Sequence, residues 1–250
     1  MRILLAGDWH GNREWAETAF AAAADAGCTD VLQLGDFGLW PGREDAWLDH
    51  VDYLARRSKT HLTWIDGNHE HHDVLDEWRV EQDDNGLVAM RNHVSWATRG
   101  ARWTWGGRRF GALGGAVSFD RFLRREGANW WAQEAVTQAD VDRLGDGRLD
   151  VLATHAAPTT RVVPTTRLPY PEDVIRDALA VRDLIDQAVD RTRPDLIVHG
   201  HFHTRWTYRF AAHRVEGLAH DKSKSGGALA VLTTDDLQLA DIPGGPAEPT

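Results

Sequence analysis

Seven side chains of metal-binding types stand in five small groups spread along this sequence. Asp8 and His10 stand in "GDWHG", Asp36 in "GDFG" and Asn68 in "DGNHE"; His155 stands in "THAAP", and His201 and His203 in "HGHFH". Carboxylates, neutral imidazoles and an amide oxygen are ligand types for Zn, Mn or Fe, and they need no thiolate. A carboxylate has two oxygens and can bridge two ions; Asp36, alone in its group, has that capacity. Two ions about 3.5–4 Å apart clamp the attacking and leaving oxygens of a phosphoryl centre. They also lower the pKa of bound water, so a bridging hydroxide becomes a nucleophile near neutral pH. Each group alone is ambiguous. A GD pair after an apolar run is ordinarily a turn, Asn68 is also a helix-cap residue, and "HGHFH" alone reads equally as a polar turn.

The elements that must position these groups are legible around them. The apolar runs "RILLA" (2–6), "DVLQL" (30–34), "HLTWI" (61–65), "DVLAT" (150–154) and "PDLIVH" (194–199) each end where one group begins. Helical spacing is expected over 13–26 and 43–58, the latter through Trp47, Val51 and Leu54. Strand, helix, strand, helix, strand implies a parallel β-α-β-α-β unit. Ligands bind at the carboxyl ends of such strands, so residues from 8 to 203 are expected to meet at one edge of a sheet. Further along come short β-like runs over 87–115, a loop rich in Arg and Trp at 118–131 and a helix over 132–145. A loop with four prolines between 158 and 171 precedes a helix over 172–190, and antiparallel strands are expected within 205–240. One domain over 1–241 is expected, with 242–250 as a flexible tail.

In this order and at these strand ends, "GDWHG", "GD", "GNHE", "THAAP" and "HGHFH" resemble the calcineurin-like metallophosphoesterase superfamily. The resemblance runs from residue 3 to about 204, with a gap in the middle. It implies an α/β fold, a four-layer α/β/β/α sandwich of mixed sheets with a dimetal site at the strand ends. It implies Asp8, His10 and His203 on one divalent ion, Asn68, His155 and His201 on the other, and Asp36 bridging. His69 matches the position that protonates the leaving group or stabilises transition-state charge. Gly7, Gly35, Gly67 and Gly200 fit backbone turning sharply under a ligand.

Other polar residues read less specifically. His50, His61, His93, His213 and His220 match no strand end, and His199 reads as framework; His71 and His72 lie beside a motif without belonging to it. Glu70 is expected in a first helical turn or orienting a ligand histidine. The loop "GGAVSFDRFLRREG" (114–127) carries Asp120, Arg121, Arg124 and Arg125, with Arg121 the candidate for gripping substrate phosphate oxygens. "NWW" (129–131) is expected to pack beneath that loop rather than stack on a base.

Departures from the family narrow the substrate. Serine/threonine phosphatases of the superfamily carry arginines after the second strand and before "GNHE". Here "GDFGLWPG" has none in the equivalent place, and Asp66 precedes Gly67. An acid facing the site would repel a dianionic monoester more than a singly charged diester, unless Arg43 or Arg121 compensated. The expected activity is therefore phosphodiester hydrolysis, with 2′,3′-cyclic nucleotides as an example. The alternatives are a phosphomonoesterase or protein phosphatase, a dinucleoside polyphosphate hydrolase, or a non-catalytic scaffold for protein interaction; all seven donors being intact argues against the last. A net charge of −10, from 38 acidic and 28 basic residues, disfavours duplex nucleic acid as partner and weakens a nuclease reading. One cysteine, Cys28, permits no intrachain disulfide, and the first residues leave no room for a signal peptide, so the cytoplasm is expected.

Overall fold

A computed structural model describes residues 1–159, 170–210, 212–224 and 226–242. The expected amino-terminal unit forms as β1 (Arg2–Ala6), α1 (Arg13–Asp25), β2 (Asp30–Gln33), α2 (Glu44–Ser58) and β3 (His61–Trp64), with β1, β2 and β3 parallel. Asn12 starts α1 by accepting from the Trp15 amide at 3.2 Å. A short helix α3 (His72–Trp78) follows, then β4 (Leu87–Arg91), β5 (Val94–Ala97), β6 (Arg102–Trp105) and β7 (Arg108–Leu113). The helix expected over 132–145 is shorter. Ala132–Glu134 makes one 3-10 turn, Ala135 is extended, and α4 begins at Gln138 and ends at Leu144. Thr137 and Asp140 explain the late start, because they cap each other's backbone amides as a capping box. The chain continues through β8 (Val151–Thr154), α5 (Glu172–Thr192), β9 (Leu196–His199), β10 (Trp206–Phe210), β11 (His213–Gly217), β12 (Leu229–Thr233) and β13 (Gln238–Asp241).

These strands build two mixed sheets, ordered β13-β12-β1-β2-β3-β5-β4 and β10-β11-β9-β8-β7-β6. Strand alternation explains how they stack. Ile3, Leu5, Leu32 and Leu34 of the first sheet share a buried cluster with Phe110, Ala112, Val151, Ala153, Leu196 and Val198 of the second. The alternate residues Leu4, Val31 and Leu62 pack beneath α1 and α2; Leu152, Ile197 and Val215 pack beneath α4 and α5. The layers are therefore helix, sheet, sheet, helix, as the family resemblance implied. The region 205–240 divides between the sheets: β10 and β11 form an antiparallel hairpin, but β11 runs parallel to β9, and β12 runs antiparallel to β1. No helix among the described residues is long and apolar enough to cross a membrane. Residues 160–169 of the proline loop and 243–250 of the expected tail lie outside the described residues. Ile242 itself is held, its amide donating to Leu229 at 3.0 Å.

Candidate metal centre

The parallel strands of both sheets direct their carboxyl ends to one place, so the donors meet across two sheet edges rather than along one. Asp8 and His10 leave β1, Asp36 leaves β2 and Asn68 leaves β3; His155 leaves β8, and His201 and His203 leave β9. Asp8, His10, Asp36 and His203 each offer a donor atom within 4.8 Å of the others. His203 Nε2 is 3.0 Å from Asp8 Oδ2, and His10 Nε2 is 3.5 Å from Asp36 Oδ2. On the other side of Asp36, His155 Nε2 lies 3.4 Å from Oδ1 and 3.1 Å from Asn68 Oδ1. His201 joins through its ring, centred 5.1 Å from that of His155 and stacked on Phe119.

The backbone is bent to this end. His10, Asp36, His201 and His203 all have positive φ, between 48° and 64°, which costs a non-glycine residue about 1–2 kcal/mol. Gly67 and Gly200 serve by closeness instead: neither has positive φ, but a Cβ on Gly67 would overlap Asp36 Oδ1, and one on Gly200 would overlap Asp8 Oδ1. The Asn68 and His69 amides each donate to Asp36 Oδ1 at 3.0 Å, and the His201 amide donates to Asp8 Oδ1 at 3.1 Å. Glu70 does not orient a histidine. Its buried carboxylate accepts from the amides of Phe37, at 2.6 Å, and Gly67, at 2.6 Å, clasping the β2 and β3 exits together. Burial pushes its pKa up to about 8, and the nearby Asp36 charge adds to that.

The imidazoles are held with one nitrogen turned to the cluster. His155 Nδ1 is 2.7 Å from the Leu34 carbonyl, leaving Nε2 toward Asp36 and Asn68. His10 Nδ1 is 3.0 Å from Asp221, whose other oxygen accepts from Asn12 at 2.7 Å. A carboxylate or carbonyl behind an imidazole is the arrangement that fixes the tautomer of a metal-ligating histidine. Burial pushes His10 and His155 down, but hydrogen bonds and acidic neighbours prevail. Asp221 and Asp36 lift His10 to about 10, and Asp36 lifts His155 to about 9. Burial likewise raises Asp36, yet His69, His155 and His10 hold it well below the usual carboxylate range. The buried Asp8 Oδ2 forms no hydrogen bond despite its nearness to His203. An unsatisfied carboxylate oxygen among imidazole lone pairs is what a divalent cation would satisfy, and the donor set fits two such ions.

His69 sits against Asp36 at 3.9 Å, with burial lowering its pKa and Asp36 partly opposing. Arg124 approaches it, Nη2 at 3.3 Å from Nε2, while pairing with both oxygens of Asp120 at 2.7 and 2.9 Å. Arg121 is not drawn to the cluster in the same way. Its guanidinium is engaged by Asp173 at 2.7 Å and Asp177 at 2.8 Å, on α5. A cavity of about 410 Å³ opens beside His10 and His69, walled by Trp40, Pro41, Arg124 and Trp131. Trp131 is itself buried and tied to Asp73, so it packs as expected; the exposed indole is Trp40.

Two expectations need revision. Asp66 does not face the cluster: it is buried 2.7 Å from Arg99 Nε and 2.6 Å from Arg99 Nη2, so it cannot repel a dianion there. His220 is not remote, since its ring stacks on that of His203 with centres 4.4 Å apart. By contrast His199 is buried against Trp206 Nε1 at 3.1 Å, and burial takes its pKa down to about 4. Asp221, Ser118 and Glu134 belong to no motif and were missed. Asp221 lies beyond β11 and Ser118 beyond β7, strands whose partners periodicity does not disclose, and Glu134 ends a 3-10 turn within the stretch expected to be helical.

Comparison with known proteins identifies the family and the fold. The model of the calcineurin-like phosphoesterase family matches residues 1–205. Among solved structures, the TT1561 protein of Thermus thermophilus is 13% identical, with TM-score 0.59 and 96% of each chain covered. An archaeal phosphodiesterase is 11% identical, with TM-score 0.53, over 97% of this chain and 99% of that one. A dimetal phosphatase from Danio rerio is 11% identical, with TM-score 0.53, over 92% and 91%. These likenesses are of fold. No curated protein matches the chain. The chain belongs to the calcineurin-like phosphoesterase family and is a metal-dependent phosphoester hydrolase.

Proposed function

We propose that this calcineurin-like phosphoesterase hydrolyses small phosphodiesters, cyclic nucleotides such as the 2′,3′ forms among them. The observation that carries the reading is the convergence of six other donors about Asp36, with His10 on one of its oxygens and His155 on the other. In this reading Asp8, His10 and His203 would hold one divalent ion, Asn68, His155 and His201 would hold a second, and Asp36 would serve both. The ions, of which Mn is one candidate, would polarise the phosphoryl group and activate water. The chain's own groups do the rest. In the same reading His69 would donate a proton or hydrogen bond to the leaving oxygen, and Arg124, 3.3 Å from His69, would balance charge. Arg124 brings its own counter-charge in Asp120, which suits a singly charged diester better than a dianion. The Trp40-walled cavity beside His10 and His69 suits an organic group attached to the phosphate.

A second reading has one observation in its favour. With Asp66 spent on Arg99, nothing from that acid disfavours a phosphomonoester. A substrate panel on metal-stripped protein separates the two. Monoester, diester, cyclic nucleotides, dinucleoside polyphosphate and phosphopeptide are each offered with Mn, Fe, Zn or Mg restored. Diesters are expected to turn over fastest; faster monoester or phosphopeptide hydrolysis would overturn the ordering.

A further inference from the structure

An asparagine amide can sit two ways round, and only one presents an oxygen to a cation; the NH₂ end has no lone pair to give. At Asn68 two residues outside the five motifs bear on that choice, beside His69, whose Nε2 lies 3.1 Å from Asn68 Nδ2. Asn68 Nδ2 donates to Ser118 Oγ at 2.9 Å. Ser118 in turn donates its hydroxyl proton to Glu134 Oε2 at 2.6 Å and its backbone N–H to Glu134 Oε1 at 2.7 Å. Asn68 Oδ1 is thereby left facing His155 Nε2 at 3.1 Å. All three side chains are buried, so no water competes for these bonds. Burial pushes the Glu134 pKa up to about 7, so above that pH it is a carboxylate, which only accepts, and a backbone N–H cannot be reversed. The Ser118 proton is therefore committed to Glu134, and its oxygen must receive the amide proton of Asn68.

We infer that Glu134, acting through Ser118, is a positioning residue that fixes the Asn68 amide with its oxygen toward the second ion. The inference rests on the two-ion reading above. Ser118 lies just beyond β7, and Glu134 closes the far side of the loop that carries Asp120 and Arg124. The Glu134 carbonyl accepts from Ala116 N at 3.0 Å and from Arg99 Nη2 at 3.0 Å, so one clasp holds both the base of that loop and a candidate ligand.

The same bonding rules predict an unusual pattern of variants. In Glu134→Gln the side-chain oxygen must stay on the Ser118 N–H, which puts the new NH₂ against Ser118 Oγ. The hydroxyl then reverses and donates toward residue 68, and the Asn68 amide turns its NH₂ to the ion. Adding Asn68→Asp removes that fault, because a carboxylate accepts from the reversed hydroxyl and still offers oxygen. Calorimetric titration of metal-stripped protein with Mn²⁺ at pH 8, alongside thermal melting, reads this without any assay of turnover. Two ions are expected on the parent chain, with the second weakened by about tenfold or more in Glu134→Gln. It should be regained in the double variant Asn68→Asp/Glu134→Gln. Unchanged second-ion binding in Glu134→Gln, or a double variant no better than Glu134→Gln, would overturn the inference. If Glu134→Gln does not melt cooperatively, Ser118→Ala decides: it takes the acceptor from Asn68, and undiminished second-ion binding there would equally overturn the inference. A parent chain that takes fewer than two ions would instead refute the two-ion reading.

Discussion

Asp36 has His10 beside one of its oxygens and His155 beside the other, and these neighbours carry a consequence for pH. His10 is lifted to about 10 and His155 to about 9 by the acids around them, so at pH 7 both hold a proton in the metal-stripped protein. An imidazole must be neutral to bind an ion, and metal uptake should therefore release protons. Affinity should rise with pH until about 9–10, by about tenfold per pH unit for each proton released. Titration calorimetry in buffers of different ionisation heat measures that release, and heats that do not depend on the buffer would contradict it. Removing Asn68 or His155 as alanine should abolish metal-dependent turnover while circular dichroism stays that of the parent; full activity in either would sink the assignment. The seven donors were readable because each sits in a short motif at a strand end. Arg124, Asp221, Ser118 and Glu134 were not, because what they touch is set by contacts between distant segments. Arg124 and Arg121 differ by three positions, yet one meets His69 and the other meets α5.

The strand exits explain why the site is strained and why parts of it were hidden. Four of the seven donors sit in left-handed backbone conformations, strain that persists only where the surroundings impose it. His203 is 45% exposed, but its ring stacks on that of His220 and its Nε2 lies 3.0 Å from Asp8. Relief of strain in His203→Gly should offset the loss of those contacts, so the metal-stripped variant should melt within a few degrees of the metal-stripped parent. A larger fall would contradict this. Gly67→Ala should do the opposite, forcing Asp36 aside and lowering metal affinity by measured titration. The amino-terminal strands and helices were legible from periodicity, with ends shifted by a residue or so. The exit of β11 is not legible as site-forming, and that of β7 only through its arginines, because short strands in a β-rich stretch do not disclose which sheet they join or in which direction. β11 lies parallel to β9, and that alone brings Asp221 behind His10.

At the scale of the molecule, the two-sheet sandwich makes the centre possible by bringing strand ends from the two halves of the chain together. It also hides charge that sequence reading placed in the site. Asp66 and Arg99 form a buried pair, and Asp66→Asn should cost about 1.5–3 kcal/mol in urea unfolding, since it removes one acid from Arg99 while Asp140 remains at 3.7 Å. Because Asp66 faces Arg99 rather than the cluster, the ratio of monoester to diester hydrolysis in that variant should stay as in the parent. A rise in the ratio would return Asp66 to the substrate's side. The layered fold was legible only through the family resemblance, since periodicity sees one strand at a time and not which sheet receives it. The number of ions needed for turnover is the most direct test of the two-ion centre. Metal-stripped protein should hydrolyse bis(p-nitrophenyl) phosphate only as Mn²⁺ is returned, with the rate climbing until two ions are bound per chain. Full activity at one ion per chain, or activity that survives exhaustive chelation, would contradict it.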